Sequence, residues 1–196
     1  MRWMLLSVLF LCLAGCEVRQ VQPLTQKDMD AVNFPDERVK ARVDRLLPFA
    51  IESTRQMQTR ALAVGTPLNS EGLVLARELG VERPERVRVV VVEKIPKLNT
   101  ANRLQRAEPL LSLSDRIIGL TAGYGIYLDK EYEDELWVLA HELVHVAQFE
   151  RMGLEGLTRQ VMTEQLALPG RLIPIEREAI DTSARVLRID PPPYAF

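Results

Sequence analysis

The chain has 196 residues, 47% of them apolar, and a formal charge of −2. That length suits one domain with a core of ordinary size. The near-neutral balance describes a soluble globular body and gives no electrostatic basis for binding nucleic acid, which is held largely through basic side chains.

The amino terminus carries a secretory pattern. Arg2 gives a positive start, Met4 to Leu13 form an apolar run too short to span a bilayer comfortably, and Leu13-Ala14-Gly15-Cys16 sets small residues before a cysteine. The Leu-Ala-Gly-Cys ending resembles the lipobox of bacterial lipoproteins. This resemblance implies a signal peptide over 1–15, cleavage before Cys16, and lipid on the Cys16 thiol and on the new amino terminus. Acyl chains, at about 0.8 kcal/mol per buried methylene, would then hold the protein on a membrane without a spanning helix. Glu17 rather than aspartate follows Cys16. By resemblance to Gram-negative sorting rules, that implies the bacterial cell envelope, on the periplasmic side of the outer membrane. Cys12 leaves with the signal and Cys16 is lipidated, so the mature domain keeps no thiol for a disulfide.

Residues 16–35 then read as the lipidated cysteine and a flexible tether. Gln20, Gln22, Pro23, Thr25, Gln26 and Pro35 dominate it, and little fixed structure is expected. The domain proper is expected over 36–190. Val39, Val43, Leu46 and Leu47 form a helical stripe, followed by Pro48, which should kink or divide the helix, and then by Ile51, Met57, Leu62 and Val64. Asn69 or Ser70 can cap a short helix through Leu79, with Gly80 placed to end it. Val87 to Val92 is the clearest strand, continuing to Ile95 before Pro96, and its unbroken apolar character predicts a central strand covered on both sides. Residues 97–112 read as a loop with room for a helical turn.

Ile117 to Leu120 and Gly123 to Leu128 make the next extended region, the second piece as an edge strand. Gly123 and Gly125 either open its backbone to an extended peptide or mark plain hairpin bends. Asp129 or Asp134 can start the following helix, with Glu131, Glu133 and Glu135 near its positive end and Gly153 as its stop. A helix over about 155–168 ends at Pro169-Gly170. The last helix runs from Pro174 to about Leu187, and a proline-rich tail fills 191–196. The fold class is therefore α+β.

One stretch carries chemistry. Trp137-Val-Leu-Ala-His141-Glu142-Leu-Val-His145-Val-Ala-Gln148-Phe149 is a mostly apolar helix interrupted by polar residues, and it contains both histidines of the chain. On a helix His141 and His145 lie one turn apart and can close on one metal ion, while Glu142 is rotated by about 100° and stands beside the ion. A carboxylate there can take a proton from a water that the cation has acidified, the arrangement for peptide-bond hydrolysis with zinc. Two histidines leave a tetrahedral catalytic site one protein ligand short. With no other histidine and no free cysteine, that ligand has to be a carboxylate, and Glu176 and Glu178 are the candidates, about thirty residues downstream.

His-Glu-x-x-His followed by a glutamate on a later helix resembles the gluzincin class of zinc metallopeptidases. The phrases His141-Glu-Leu-Val-His-Val-Ala-Gln148 and Glu176-Arg-Glu-Ala179 are particularly similar to small bacterial metallopeptidase-like domains, over about residues 117–187. The resemblance implies a small zincin-like α+β domain with the motif helix packed on a short sheet and additional helices around it. It further implies Zn2+ on His141, His145 and Glu176, with Glu142 as general base and later proton donor. In the family pattern an acid lies four residues after the ligand glutamate. Here that position is Ile180 and Asp181 is one further on, so Glu178 stays open beside Glu176, which is favoured because Ala179 shares its face. Asp181 and Gln148 are candidates to orient a histidine, and Tyr124, Tyr127 or Arg171 to stabilise the oxyanion. The expected function is a membrane-anchored zinc metallopeptidase acting on a peptide or protein substrate. The alternative is a non-catalytic envelope lipoprotein, a binding module whose zinc site is structural or relict.

Overall fold

The computed structural model describes residues 23–95, 117–169 and 171–191. The signal peptide, Cys16, the loop over 97–112 and the end of the tail lie outside the described residues. Among those described, the class is mixed α+β, five helices around a four-stranded sheet.

The expected tether is helical in part. α1 (Gln26–Asn33) starts at a capping box, in which Thr25 accepts from the Asp28 backbone N–H and Asp28 accepts from that of Thr25. Leu24 and Val32 pack on Leu168, Ile173 and Ile175, and Arg171 bonds both Asp28 (3.2 Å) and the Pro23 carbonyl (3.0 Å). A polar composition concealed two apolar anchors and a cap, so the ordered body begins before residue 36.

α2 (Glu37–Val64) starts at the Asp36 cap and runs unbroken through Pro48. An interior proline costs about 3 kcal/mol. Here Val43, Leu46 and Leu47, just before it, are buried against Met162 and Leu166 of a later helix, which keeps the axis in place. Past β1 (Thr66–Pro67), Asn69 rather than Ser70 caps α3 (Ser70–Glu78), accepting from the Gly72 backbone N–H at 2.8 Å.

The sheet order is β1, β2 (Arg88–Val92), β4 (Gly125–Asp129), β3 (Gly119–Ala122), with β2 parallel to β4 and the other pairs antiparallel. Two expectations are corrected. The valine strand is inner as expected, between β1 and β4, but it stops at Val92 and is only half-buried, with Val91 exposed; the supposed edge strand β4 is also an inner strand, buried from Gly125 to Leu128. The edge beside β4 belongs to β3. β4 needs cover on both faces because Ile126 and Leu128 join the core made by Leu143, Val144 and Val146, while Tyr127 turns to the other face and donates to the Met57 carbonyl of α2. Gly125 serves that second face: a Cβ there would come within 2.4 Å of the Ala61 Cβ. Its lack of a side chain admits helix α2. Gly123, at φ +62°, makes the tight turn between β3 and β4.

After a short 3-10 turn that Asp129 caps, α4 (Leu136–Ala167) begins at Glu135 without a side-chain cap, so neither Asp129 nor Asp134 starts it. Gly153 (φ +71°, ψ 168°) leaves helical geometry at the expected stop, so α4 is two helical segments joined across a kink there. The chain re-enters helix in the next residue. α5 (Pro174–Leu187) has proline in its first turn and ends at Arg188 in the left-handed region.

Candidate metal centre

The first half of α4 is buried between the sheet and α5, which fixes where its polar residues point. His141 and His145 face one another at a ring-centroid distance of 4.7 Å with planes 85° apart, and their Nε2 atoms are 3.1 Å apart. α5 packs on the same face through Ala179, which is fully buried, and brings Glu176 over the imidazoles. Its Oε2 lies 3.2 Å from His141 Nε2 and 3.4 Å from His145 Nε2.

These three residues form a group able to hold a metal ion. The fit can be tested on the donor triangle itself. Ligands at 2.0–2.1 Å from a tetrahedral ion are about 3.3 Å from one another, and two imidazole nitrogens with one carboxylate oxygen form a familiar zinc-binding set. Edges of 3.1, 3.2 and 3.4 Å match. Glu178 lies elsewhere, with Oε2 accepting from Gln148 (3.1 Å) and both oxygens accepting from Arg151 (2.9 Å).

A buried layer of polar side chains holds the triangle. Gln148 has no exposed surface, and its Oε1 lies 2.7 Å from His145 Nδ1. An amide oxygen can only accept, so the Gln148 bond places a proton on His145 Nδ1 and leaves Nε2 as the nitrogen turned to the centre. The Gln148 amide in turn donates to the Ile175 carbonyl at 2.9 Å. The Ile175 N–H donates to Glu164 Oε2 at 2.9 Å, from a carboxylate that is itself fully buried and whose pKa burial raises. Both backbone groups of the residue before Glu176 are thus pinned by side chains of α4. Sequence reasoning missed Glu164; the only signal was an acid among the inward residues Val161, Met162 and Leu166.

Of the two candidates to orient a histidine, Gln148 is in place and Asp181 is exposed. The three proposed oxyanion donors are engaged elsewhere: the Tyr124 hydroxyl donates to Glu150 (3.0 Å), that of Tyr127 to Met57, and Arg171 bonds Asp28 and Pro23.

Glu142 is 5% exposed and is outside the donor triangle. Its carboxylate rests against β3, where the Thr121 hydroxyl meets Oε2 at 2.6 Å and the Glu142 carbonyl at 3.0 Å. Thr121 was not anticipated, and nothing in the sequence ahead of the pairing register marks it.

Compared with known proteins, the chain matches no family model, no curated protein and no solved structure.

In the metal-free protein the cluster is an ion pair. Burial disfavours the charged His145 ring, yet the Glu176 carboxylate, the nearby Glu142 charge and the Gln148 bond outweigh it and push the pKa from 6.5 up to about 9. Burial likewise raises the Glu176 carboxyl, but the two histidines overcome that and hold it well below its usual range. The raised His145 pKa stabilises the fold fully below 6.5 and ceases to do so as pH climbs through about 9. The lowered Glu176 pKa stabilises it above 4.5 and is lost as pH falls toward its folded value. The melting temperature of metal-free protein should therefore decline between pH 6.5 and 9, and Glu176→Gln should flatten that decline, as read by calorimetry. Gln148→Leu, which removes the acceptor that orients His145, should weaken zinc binding about 10- to 100-fold in a chelator competition.

Proposed function

We propose that this chain is a membrane-anchored zinc-dependent metallopeptidase that hydrolyses peptide bonds with Glu142 as general base. One observation carries the reading: two imidazole nitrogens of α4 and a carboxylate oxygen of α5 stand 3.1–3.4 Å apart, and α4 also carries a buried glutamate next to the first histidine. His141, His145 and Glu176 would hold the ion. When bound, zinc polarises a carbonyl and lowers the pKa of water to about 7.

The chain's own residues supply the rest. Gln148 fixes the His145 tautomer, and the Glu164 and Gln148 bonds to Ile175 keep Glu176 from drifting with the start of α5. The Glu142 carboxylate takes a proton from the attacking water and hands it to the leaving amine. Peptide as the substrate class is supported by β3, the strand next to Glu142. Its outer edge has no strand partner among the described residues, so an extended peptide can add there through main-chain hydrogen bonds. Anchoring rests on the Leu13-Ala14-Gly15-Cys16 sequence, with lipid on Cys16 and the envelope, on the periplasmic side of the outer membrane, as the location. No helix among the described residues is long and apolar enough to cross a membrane.

A second reading, a binding module with a structural or relict zinc site, is favoured by one fact: Tyr124, Tyr127 and Arg171 are all bonded elsewhere. A peptide-library digest with zinc-loaded wild type and Glu142→Gln separates the two. The peptidase reading expects cleavage by the wild type and a loss of at least about a hundredfold in the variant, with zinc content unchanged. Zinc-loaded wild type that cleaves nothing, while losing melting temperature when the metal is stripped, favours the binding module.

A further inference from the structure

We propose that Thr121, in a seat left open by Gly119, is the positioning residue for the Glu142 carboxylate, an inference that rests on the peptidase reading above. Gly119 and Thr121 are two apart on β3 and pair with Leu128 and Ile126 of β4, so both face the same side of the sheet as those core residues, toward α4. That side meets Glu142 at two points. The Thr121 hydroxyl is 2.6 Å from Oε2. Over Gly119 there is no room for even a methyl group, since a Cβ would lie 2.5 Å from Glu142 Oε1, 2.9 Å from Cδ and 3.0 Å from Cγ. One oxygen is bonded and the other lies over a bare Cα.

The chemistry of the partner matters as much as its place. A buried carboxylate without a hydrogen-bond donor is costly, and a lysine or arginine would answer that need by pairing off the negative charge a base requires. A hydroxyl orients the group and leaves it anionic. The same hydroxyl lies 3.0 Å from the Glu142 carbonyl, so it stands between the backbone and the carboxylate of one residue. The same contact ties β3, the strand beside which the peptide would lie, to the group that acts on it.

The test uses the full zinc-loaded chain with Thr121→Val, Thr121→Ser and Gly119→Ala, read by kcat and KM on a peptide the wild type cleaves, by zinc affinity and by melting temperature. Thr121→Val is expected to lower kcat at least about tenfold with KM and zinc affinity unchanged, Thr121→Ser to recover most of it, and Gly119→Ala to lower kcat by displacing the carboxylate. If Thr121→Val fails to fold, Thr121→Ala takes its place. A Thr121→Val kcat within about twofold of wild type, or a Thr121→Ser loss as deep as that of Thr121→Val, overturns the proposal. If the wild type cleaves no peptide, the peptidase reading fails by itself, and crystal structures of the wild type and Thr121→Val decide the seat. The carboxylate resting on Thr121 in the first and turned away in the second supports it; the same carboxylate position in both overturns it.

Discussion

Gln148 sits at the junction on which the rest of the site depends. It has no exposed surface, and it joins the His145 ring, the Ile175 carbonyl and the Glu178 carboxylate, so one side chain from α4 fixes a ring on its own helix and the first turn of α5. A buried amide left unbonded would cost about 1–3 kcal/mol at each unmet group, so the three bonds hold or fail together. Glu164 adds the opposing constraint by accepting the Ile175 N–H. Between them α5 has little freedom to slide or turn, and Glu176 arrives over the two imidazoles as a consequence of main-chain bonds one residue away.

The sheet does the equivalent work for Glu142. β4 is clamped by α2 on one face and α4 on the other, the close approach of α2 being possible only because Gly125 has no side chain. With β4 fixed, the antiparallel register sets Gly119 and Thr121 against Glu142. The group able to hold a metal ion and the neighbouring Glu142 carboxylate are therefore held by different parts of the fold, one by helix packing and the other by strand register. Burial of the carboxylates beside the imidazoles then makes the pair's charge state depend on whether a proton or a cation stands among them.

Much of this was legible in the sequence where local rules suffice. The spacing of His141 and His145 decides that they share a helix face, and the Ala179 face favours Glu176 over Glu178 as the acid that meets them. Gln148 follows because it lies one turn beyond His145 on nearly the same face. What stayed hidden depends on partners distant in sequence. Pro48 lies in an unbroken helix because Val43, Leu46 and Leu47 are buried against Met162 and Leu166. Composition cannot distinguish a tether from a short helix pinned by Leu24, Val32 and Arg171. The valine run marked β2 as the buried strand, but burial follows the layers of the fold, and α2 and α4 enclose β4. Thr121 and Glu164 were invisible for the same reason, each acquiring its role from a residue on another element.

The central claim is that two imidazoles and one glutamate bind a single cation. X-ray absorption at the zinc edge of the purified, metal-loaded protein measures this directly. The account predicts one ion per chain with only nitrogen and oxygen neighbours at about 2.0–2.1 Å, the multiple-scattering pattern of two imidazoles, and loss of one light-atom neighbour in Glu176→Ala. Protein that retains no zinc after dialysis, or protein that still binds one zinc ion per chain after His141 and His145 are replaced together, would contradict it.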